Sequence, residues 1–127
     1  MIKGIGIDLV NIKRIKKMHE KWGDAFLDKI YTSSEIAYCK TKARPYQHLA
    51  ARFAIKEAAI KMLDKAEGLS WQDIEIENKA SGKPELKLKR SARKAADSIG
   101  IKKVHISISH EKELAVAQVI GEGEFEK

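Results

Sequence analysis

The chain has 127 residues, a formal net charge of +7 at pH 7 and an isoelectric point of about 9.5. This length predicts one domain, large enough to bury a hydrophobic core without stabilisation by disulfides or bound metals. A single cysteine, Cys39, excludes an internal disulfide, and four scattered histidines show no zinc-ligand spacing. No apolar run approaches a membrane span and the first residues do not form a signal peptide, so we expect a cytoplasmic protein that starts at Met1. The positive charge favours a polyanionic partner: nucleic acid, a phosphorylated small molecule or an acidic protein.

The chain opens with a predicted strand over residues 1–10 that has one bare face. Its side chains alternate between an apolar side, with Ile5, Ile7 and Leu9, and a side with Gly4, Gly6 and Asp8. Aspartate is disfavoured inside strands, and paired glycines leave room for a helix, another backbone or a ligand. Asp8 is either a solvent-facing residue near a strand end, which is common, or a functional carboxylate.

Two helix starts follow the strand. Asn11 can cap a short helix, whose inward residues would be Ile12, Ile15 and either Met18 or His19. Its outer face is basic, with Lys13, Arg14, Lys16, Lys17 and Lys21, and many such faces are only solvated. Thr32 and Glu35 have the spacing of a capping box, which predicts the start of another helix.

A long central helix is predicted from Pro45 to about Asp64. Its apolar residues form one stripe, made by Leu49, Phe53 and Ile60. At about 100° per residue, Glu57 lies about 60° from the centre of this stripe, so its carboxylate should sit at the edge of the core. A buried carboxylate needs a partner, and Lys61, one turn further along, is the nearest candidate.

The remaining residues predict two hairpins separated by a helix. The first hairpin has strands at 71–77 and 85–89 around a turn at 81–84, and the helix runs from about Ser91 to Ile99. The second hairpin joins residues 104–109 and 114–120, and it aligns His105, Ser107 and Ser109 in a polar row. This order of elements predicts an α+β fold with a mainly antiparallel sheet.

Several of these segments match one known family in order along nearly the whole chain. They are Gly-Ile-Gly-Ile-Asp at 4–8, Arg-Phe-Ala-Ile-Lys-Glu-Ala-Ala-Ile-Lys at 52–61, Gly-Lys-Pro at 82–84 and His-Ile-Ser-Ile-Ser-His at 105–110. The chain closely resembles the holo-[acyl-carrier-protein] synthases, which are small 4′-phosphopantetheinyl transferases. Asp8 combined with the 52–61 segment is specific, whereas Gly-Lys-Pro alone is weak. Ala51, where many relatives carry glycine, and Lys29, where arginine is usual, depart from the family without touching its metal or transfer chemistry.

The resemblance implies transfer of 4′-phosphopantetheine from coenzyme A to a serine of apo acyl carrier protein, which releases adenosine 3′,5′-bisphosphate. Asp8 and Glu57 would hold Mg²⁺, an ion that prefers one or two carboxylates together with substrate phosphates and water. Lys61 would add a second positive centre beside the leaving group. The serine proton would pass to Glu57, directly or through a water on the metal, or to a water held by Asp8, and the sequence does not separate these routes.

The resemblance also assigns a coenzyme A site and an assembly. The coenzyme would be held by Arg52, Lys61, Gly82, Lys83, Pro84 and His105. Because acyl carrier proteins are acidic, Arg14 and Lys17 should steer the carrier to the enzyme. A homotrimer is expected, in which the two carboxylates and Lys61 come from one subunit and His105 from the next.

Two other classes of protein agree with parts of the sequence. A nucleic-acid-binding module agrees with the basic charge, but no strand interleaves aromatic residues with lysine or arginine as a stacking platform would. A nucleotide-binding hydrolase agrees with glycines and a lysine beside acids, but residues 82–84 lack the length and the hydroxyl residue of a P-loop. The transferase interpretation is therefore favoured over both.

Overall fold

The computed structural model describes residues 1–64 and 67–125, and in this part of the chain a long helix packs on a three-stranded sheet. The strands are β1 (Ile2–Asn11), β2 (Ile74–Asn78), β3 (Pro84–Leu88), β4 (Lys103–His110) and β5 (Leu114–Glu122). The helices are α1 (Ile12–Trp22), α2 (Asp24–Ile30), α3 (Ser33–Lys40), α4 (Pro45–Leu63) and α5 (Arg90–Ser98). The larger sheet has the order β1-β5-β4 and the smaller one pairs β2 with β3, with every pairing antiparallel. The predicted α+β class is confirmed.

The two glycines of β1 let the strand approach α4 closely. A Cβ atom at Gly6 would lie 1.8 Å from the carbonyl oxygen of Ala58, and one at Gly4 would lie 2.4 Å from the carbonyl oxygen of Met62. Any larger residue would therefore push the strand away from the helix. The bare face predicted for the first strand is the face on which α4 packs, and it carries Asp8 to the edge of this contact.

The core lies between this sheet face and α4. Small residues of the helix, Ala54 and Ala58, are fully buried against it, as are Ala117 and Val119 of β5. On α1, Ile15 is fully buried, which agrees with the inward face predicted for this helix. No helix in the described ranges is long and apolar enough to cross a membrane.

The first hairpin starts later than predicted. Residues 71–73 form a 3₁₀ turn, in which Trp71 stacks on Phe53 with ring centroids 5.3 Å apart. Asp73 turns towards the start of α5 and accepts a hydrogen bond from the Ser91 backbone at 3.1 Å. This carboxylate caps α5 from a distant segment, and the helix begins at Arg90 and ends at Ser98, one residue earlier at each end than predicted.

A buried ion pair ties α3 and α4 to the first hairpin. The predicted capping box is present: Thr32 and Glu35 each accept a hydrogen bond from the backbone of the other. The Nζ atom of Lys56 lies 2.9 Å from Oε1 of Glu35, and neither side chain is exposed. Lys56 also donates to the carbonyls of Trp71 and Ile74, at 3.0 and 2.6 Å. Burial lowers the pKa of Lys56, although the charge of Glu35 opposes this shift.

Candidate functional site

Asp8 and Glu57 lie near one another where β1 meets α4. Glu57 is half-buried at the edge of the core, where the helical spacing places it. Burial raises the pKa of its carboxyl group and the charge of Asp8 raises it further, whereas Lys61 and Arg14 act in the opposite direction. The net shift of the Glu57 pKa is upward, because burial and the neighbouring Asp8 outweigh the two cations.

Lys61 forms its ion pair with Asp8 and not with Glu57, the partner suggested by helical spacing. Its Nζ atom donates to Oδ1 of Asp8 at 3.0 Å and to the carbonyl oxygen of Ile7 at 2.9 Å. These two acceptors are neighbours on β1, so one ammonium group bridges both. The Asp8 side chain is 17% exposed and that of Lys61 is 54% exposed, which leaves the pair accessible to a substrate.

Two carboxylates are the donors that this site offers to a metal ion. Among the residues that the structure describes, no group of three or more His, Cys, Asp or Glu side chains is arranged to hold a metal. Mg²⁺ does not require such a group, because substrate phosphates and water complete its shell. The Glu57 carboxylate forms no hydrogen bond among the described residues, so its oxygens are open to a metal ion, and Asp8 lies close enough for its charge to raise the pKa of Glu57. The donor set at Asp8 and Glu57 therefore fits Mg²⁺.

Arg14, at the start of α1, lies close enough to the carboxylates for its charge to lower the pKa of Glu57. It therefore belongs to the surroundings of the site as well as to the basic face of α1. Lys17, which is exposed on the same helix, is not among the causes of that shift. Lys17 is the cleaner probe of the predicted carrier surface.

Five of the six residues predicted for coenzyme A line two adjoining clefts, whereas Lys61 lines neither and pairs with Asp8. The His105 cleft, of about 430 Å³, is lined by Lys83, Pro84 and His105 together with Lys79, Lys102 and Lys103. The Arg52 cleft, of about 510 Å³, is lined by Arg52 and Gly82 together with Tyr38, Lys42, Asn78 and Lys79. Lys79 lines both clefts. The structure thus brings the predicted residues of the 82–84 turn next to His105 on one side and Arg52 on the other.

His105 lies on the sheet face opposite to Asp8. His105 pairs with Ile120, which pairs with Ile5, whereas Asp8 pairs with Ala117. Paired residues of antiparallel strands point to the same side, and Ala117 is buried against the helix. His105 is half-exposed and its Nε2 lies 3.0 Å from Oε1 of Glu122. Within one subunit, the sheet therefore separates His105 from the carboxylates.

Arg52 is buried, with only 5% of its surface exposed. Its Nη2 atom donates to Oδ1 of Asn78, while Nε has no hydrogen-bond partner among the described residues. The sequence indicated Arg52 but missed Tyr38, Lys42 and Asn78, which surround it. Tyr38 and Lys42 lie four residues apart, a spacing that hints at contact but does not point to Arg52.

Together, the fold and these sites define an α+β protein with paired carboxylates, a bridging lysine and cationic clefts. This combination is typical of enzymes that act on phosphorylated substrates, where positioning and charge neutralisation dominate.

Comparison with known proteins places the chain in a family. Residues 4–119 match the 4′-phosphopantetheinyl transferase superfamily. The holo-[acyl-carrier-protein] synthase of Halothermothrix orenii is 48% identical over 123 residues, which is 96% of this chain and 98% of the relative. The crystal structure of holo-[acyl-carrier-protein] synthase from Neisseria meningitidis matches with a TM-score of 0.87 and 36% identity, covering 96% of this chain and 99% of that one. The Bacillus anthracis synthase, in complex with CoA (3′,5′-ADP), matches with a TM-score of 0.79 and 38% identity, covering 98% and 99%.

The chain belongs to the 4′-phosphopantetheinyl transferase superfamily, and it is an enzyme of the holo-[acyl-carrier-protein] synthase type. The resemblance drawn from the motifs and the fold it implied are confirmed.

Proposed function

We propose that this protein transfers 4′-phosphopantetheine from coenzyme A to a serine of apo acyl carrier protein, in a Mg²⁺-dependent reaction that releases adenosine 3′,5′-bisphosphate. The observation that carries the proposal is the group formed by Asp8, Glu57 and Lys61, where two carboxylates meet one accessible ammonium. The relatives named as synthases, and one of them solved with coenzyme A, support the same substrates. We further expect one domain and a cytoplasmic location.

Asp8 and Glu57 would hold the metal ion. When bound, the ion supplies positive charge that offsets the charge of the coenzyme pyrophosphate. Lys61 complements this from the protein side, since an ammonium group has three hydrogens and only two are donated to β1. The third is available to an oxygen of the leaving phosphate, which would keep Lys61 anchored while it neutralises charge.

The serine nucleophile belongs to the carrier protein, so the enzyme must accept its proton. Glu57 is the first candidate, directly or through a water molecule, because its carboxylate makes no hydrogen bond among the described residues. Asp8 already accepts a bond from Lys61, so a water held by Asp8 is the second candidate. Arg52, Gly82, Lys83, Pro84 and His105 would hold the phosphates and adenine of coenzyme A in the two adjoining clefts.

The separation of His105 from the carboxylates supports the proposed homotrimer with a shared site. The sheet face that carries His105 also carries Ile5, Ile7 and Leu9, which are 57%, 58% and 62% exposed. An exposed apolar strand face of this kind is typical of an interface with another subunit. Closing a ring over this face would bring His105 towards the carboxylates of the next subunit.

Mixing two inactive variants tests the shared site. Glu57→Gln and His105→Ala subunits are partly dissociated, mixed in equal amounts and reassembled. With random exchange, about a quarter of interfaces would unite two unmutated halves, because each heterologous interface takes one half from each neighbour. Activity should rise towards that fraction. If mixed trimers form and activity does not return, both halves of the site belong to one subunit.

The proposed reaction is tested by incubating an apo carrier protein with coenzyme A, Mg²⁺ and this protein and recording the mass of the carrier. A phosphopantetheine adduct supports the proposal. Tight binding to nucleic acid that weakens steeply with salt, without an adduct, would instead support the nucleic-acid-binding alternative. An omission of Mg²⁺ in a parallel sample tests the metal dependence, and the adduct should then fail to form.

A further inference from the structure

The ring of Tyr38 in α3 carries two cations. The guanidinium carbon of Arg52 lies 4.3 Å from the ring centroid, and Nζ of Lys42 lies 4.5 Å from it. Both distances are well within the range of a cation–π contact, which extends to about 6 Å. The two cations come from different segments, since Arg52 is on α4 and Lys42 is in the loop after α3. Tyr38 is therefore the side chain that brings them together.

A second line of contacts fixes Arg52 from the hairpin side. Asn78, at the end of β2, accepts a hydrogen bond from Nη2 of Arg52 and donates one to the carbonyl oxygen of Gly82 at 3.0 Å. The guanidinium group is thus held between Tyr38 and the 82–84 turn, although its Nε atom has no partner among the described residues. Because Nε is closed off from solvent, Arg52 would act on a ligand in the cleft through its charge and not through a hydrogen bond from Nε.

The charges in this cleft point to an anionic ligand. Glu77, the carboxylate that lines it, pairs with Lys87 at 3.2 Å. Burial lowers the pKa of the nearby His48, whose ring meets Tyr38 at 6.1 Å, and the charges of Arg52, Lys42 and His110 lower it further. Among the described residues neither Arg52 nor Lys42 forms an ion pair with a carboxylate, so their positive charge would attract an anion to the cleft.

We infer that Tyr38 is a positioning residue, whose ring holds Lys42 and Arg52 in place in the cleft as a preformed receptor for the phosphates of coenzyme A. The identity of the ligand rests on the proposed function, while the receptor itself rests on the contacts of Tyr38. The ring attracts both cations through its negative face without neutralising them, so their charge stays available to the ligand. A carboxylate in its place would bind the same cations and cancel the charge.

The test is to measure how tightly the protein binds adenosine 3′,5′-bisphosphate by calorimetry, with two variants of Tyr38. Tyr38→Phe keeps the ring, so binding should stay within about twofold of the parent. Tyr38→Leu keeps an apolar side chain and removes the ring, and binding should weaken about tenfold, which corresponds to about 1.4 kcal/mol. In the transfer assay the same Leu variant should raise KM for coenzyme A and leave kcat near the parent value. Equal binding by the parent and Tyr38→Leu, or equal losses in the Phe and Leu variants, would overturn the inference.

A second variant, Lys42→Met, keeps the test valid if Tyr38→Leu is unstable, because parental bisphosphate binding by Lys42→Met would overturn the inference. Where Tyr38→Leu is folded, a double-mutant cycle also measures the coupling between the two residues. Lys42→Met should weaken bisphosphate binding, and adding Tyr38→Leu should weaken it by less than in the parent background, because one of the two cations that the ring positions is already absent. Strictly additive losses would show that Tyr38 does not act through Lys42 and would overturn the inference.

Bisphosphate binding and transfer to the carrier report separately on the receptor and on the transferase activity. Bisphosphate binding is measured without carrier protein and without transfer. If the carrier gains no adduct while the binding series behaves as expected, the transferase proposal fails and the receptor stands. If the adduct forms and Tyr38→Leu has the parental KM for coenzyme A, the receptor fails and the transferase stands.

Discussion

Lys56 and Glu57 are neighbours on α4, yet they enter opposite environments. Lys56 forms a fully buried pair with Glu35, and its ammonium also donates to two backbone carbonyls. Glu57 lies at the edge of the core beside Asp8, whose partner Lys61 is more than half exposed. The first group leaves no polar atom for a ligand, whereas in the second the Glu57 carboxylate has no hydrogen-bond partner among the described residues. A charged group whose polar atoms all have partners within the protein stabilises the fold, whereas one with unpartnered polar atoms can bind a ligand or take part in a reaction.

The largest expected effect is on stability at the buried pair. Replacing Lys56 by methionine leaves the Glu35 carboxylate without its counter-charge inside the protein, so the free energy of unfolding should fall by about 3–5 kcal/mol. Lys61→Met is the matched control on the same helix, because an exposed pair contributes at most about 1 kcal/mol. Urea unfolding of both variants measures the difference. Similar losses at the two lysines would contradict the distinction between the two groups.

The next largest effect is expected on the rate of phosphopantetheine transfer when Asp8 or Glu57 is replaced. Asp8→Asn and Glu57→Gln keep the shape of each side chain and remove one negative charge, so turnover should fall on the order of a hundredfold. The fold should be retained, as judged by circular dichroism and thermal unfolding. Parental turnover by Asp8→Asn at limiting Mg²⁺ would rule out the proposed metal site.

Glu57→Gln should also raise stability slightly in metal-free buffer at pH 7. The pKa of Glu57 is raised in the folded protein, so its contribution to stability is present below the ordinary pKa and is lost as pH rises through the folded value. Glutamine cannot ionise and avoids this loss. Thermal unfolding of the parent and the variant from pH 4 to 7 measures the effect, and a parent that gains stability relative to the variant as pH rises would contradict it.

At Glu75, which belongs to the contacts that hold the fold together, we expect stability to depend on pH in the opposite direction. Burial alone would raise the pKa of Glu75, but hydrogen bonds from Lys89, Thr32 and Ser34 lower it from 4.5 to about 2. The stability this provides is present above pH 4.5 and is lost as pH falls towards 2. In Glu75→Gln the free energy of unfolding should therefore depend less on pH in this range than in the parent. Glu85→Gln, at an exposed position, should behave like the parent. Identical acid profiles for the parent and Glu75→Gln would count against these contacts.

The smallest effect is expected on the basic face of α1. Lys17→Glu should raise KM for the carrier about threefold and leave KM for coenzyme A unchanged, because an exposed charge acts through steering that salt screens over about 8 Å. Arg14→Glu should differ, since its charge reaches Glu57 and turnover should fall as well. If KM for the carrier is unchanged in Lys17→Glu at low salt, the basic face of α1 does not steer the carrier and is only a solvated surface.

The sequence predicted the elements whose signals are local. Residue spacing identified the strand with Gly4 and Gly6 and the long helix with Glu57, and the Thr32–Glu35 spacing identified a helix start. The ion pair predicted between Lys61 and Glu57 was wrong, because helical spacing compares only residues on one helix. Asp8, the actual partner of Lys61, lies on a strand more than fifty residues earlier. Local patterns carry no information on such contacts.

The remaining contacts could not be predicted for the same reason. Lys56 resembles Lys61 in the sequence, and only the packing of α3 and the first hairpin buries it. The Tyr38 receptor joins α3, the loop after it and α4, so no single segment shows it. The family motif drew attention to Arg52 because it is part of a contiguous signature, whereas its neighbours in space are dispersed along the chain.

The rate of phosphopantetheine transfer per folded molecule, compared between Lys56→Met and Glu57→Gln at low temperature, tests the central distinction most directly. Folded fraction is measured by circular dichroism and transfer by the mass of the carrier protein. Lys56→Met should transfer at the parental rate per folded molecule, while Glu57→Gln should be fully folded and lose transfer. A folded Lys56→Met without transfer, or a Glu57→Gln with the parental rate, would contradict the assignment of one residue to the fold and its neighbour to the reaction.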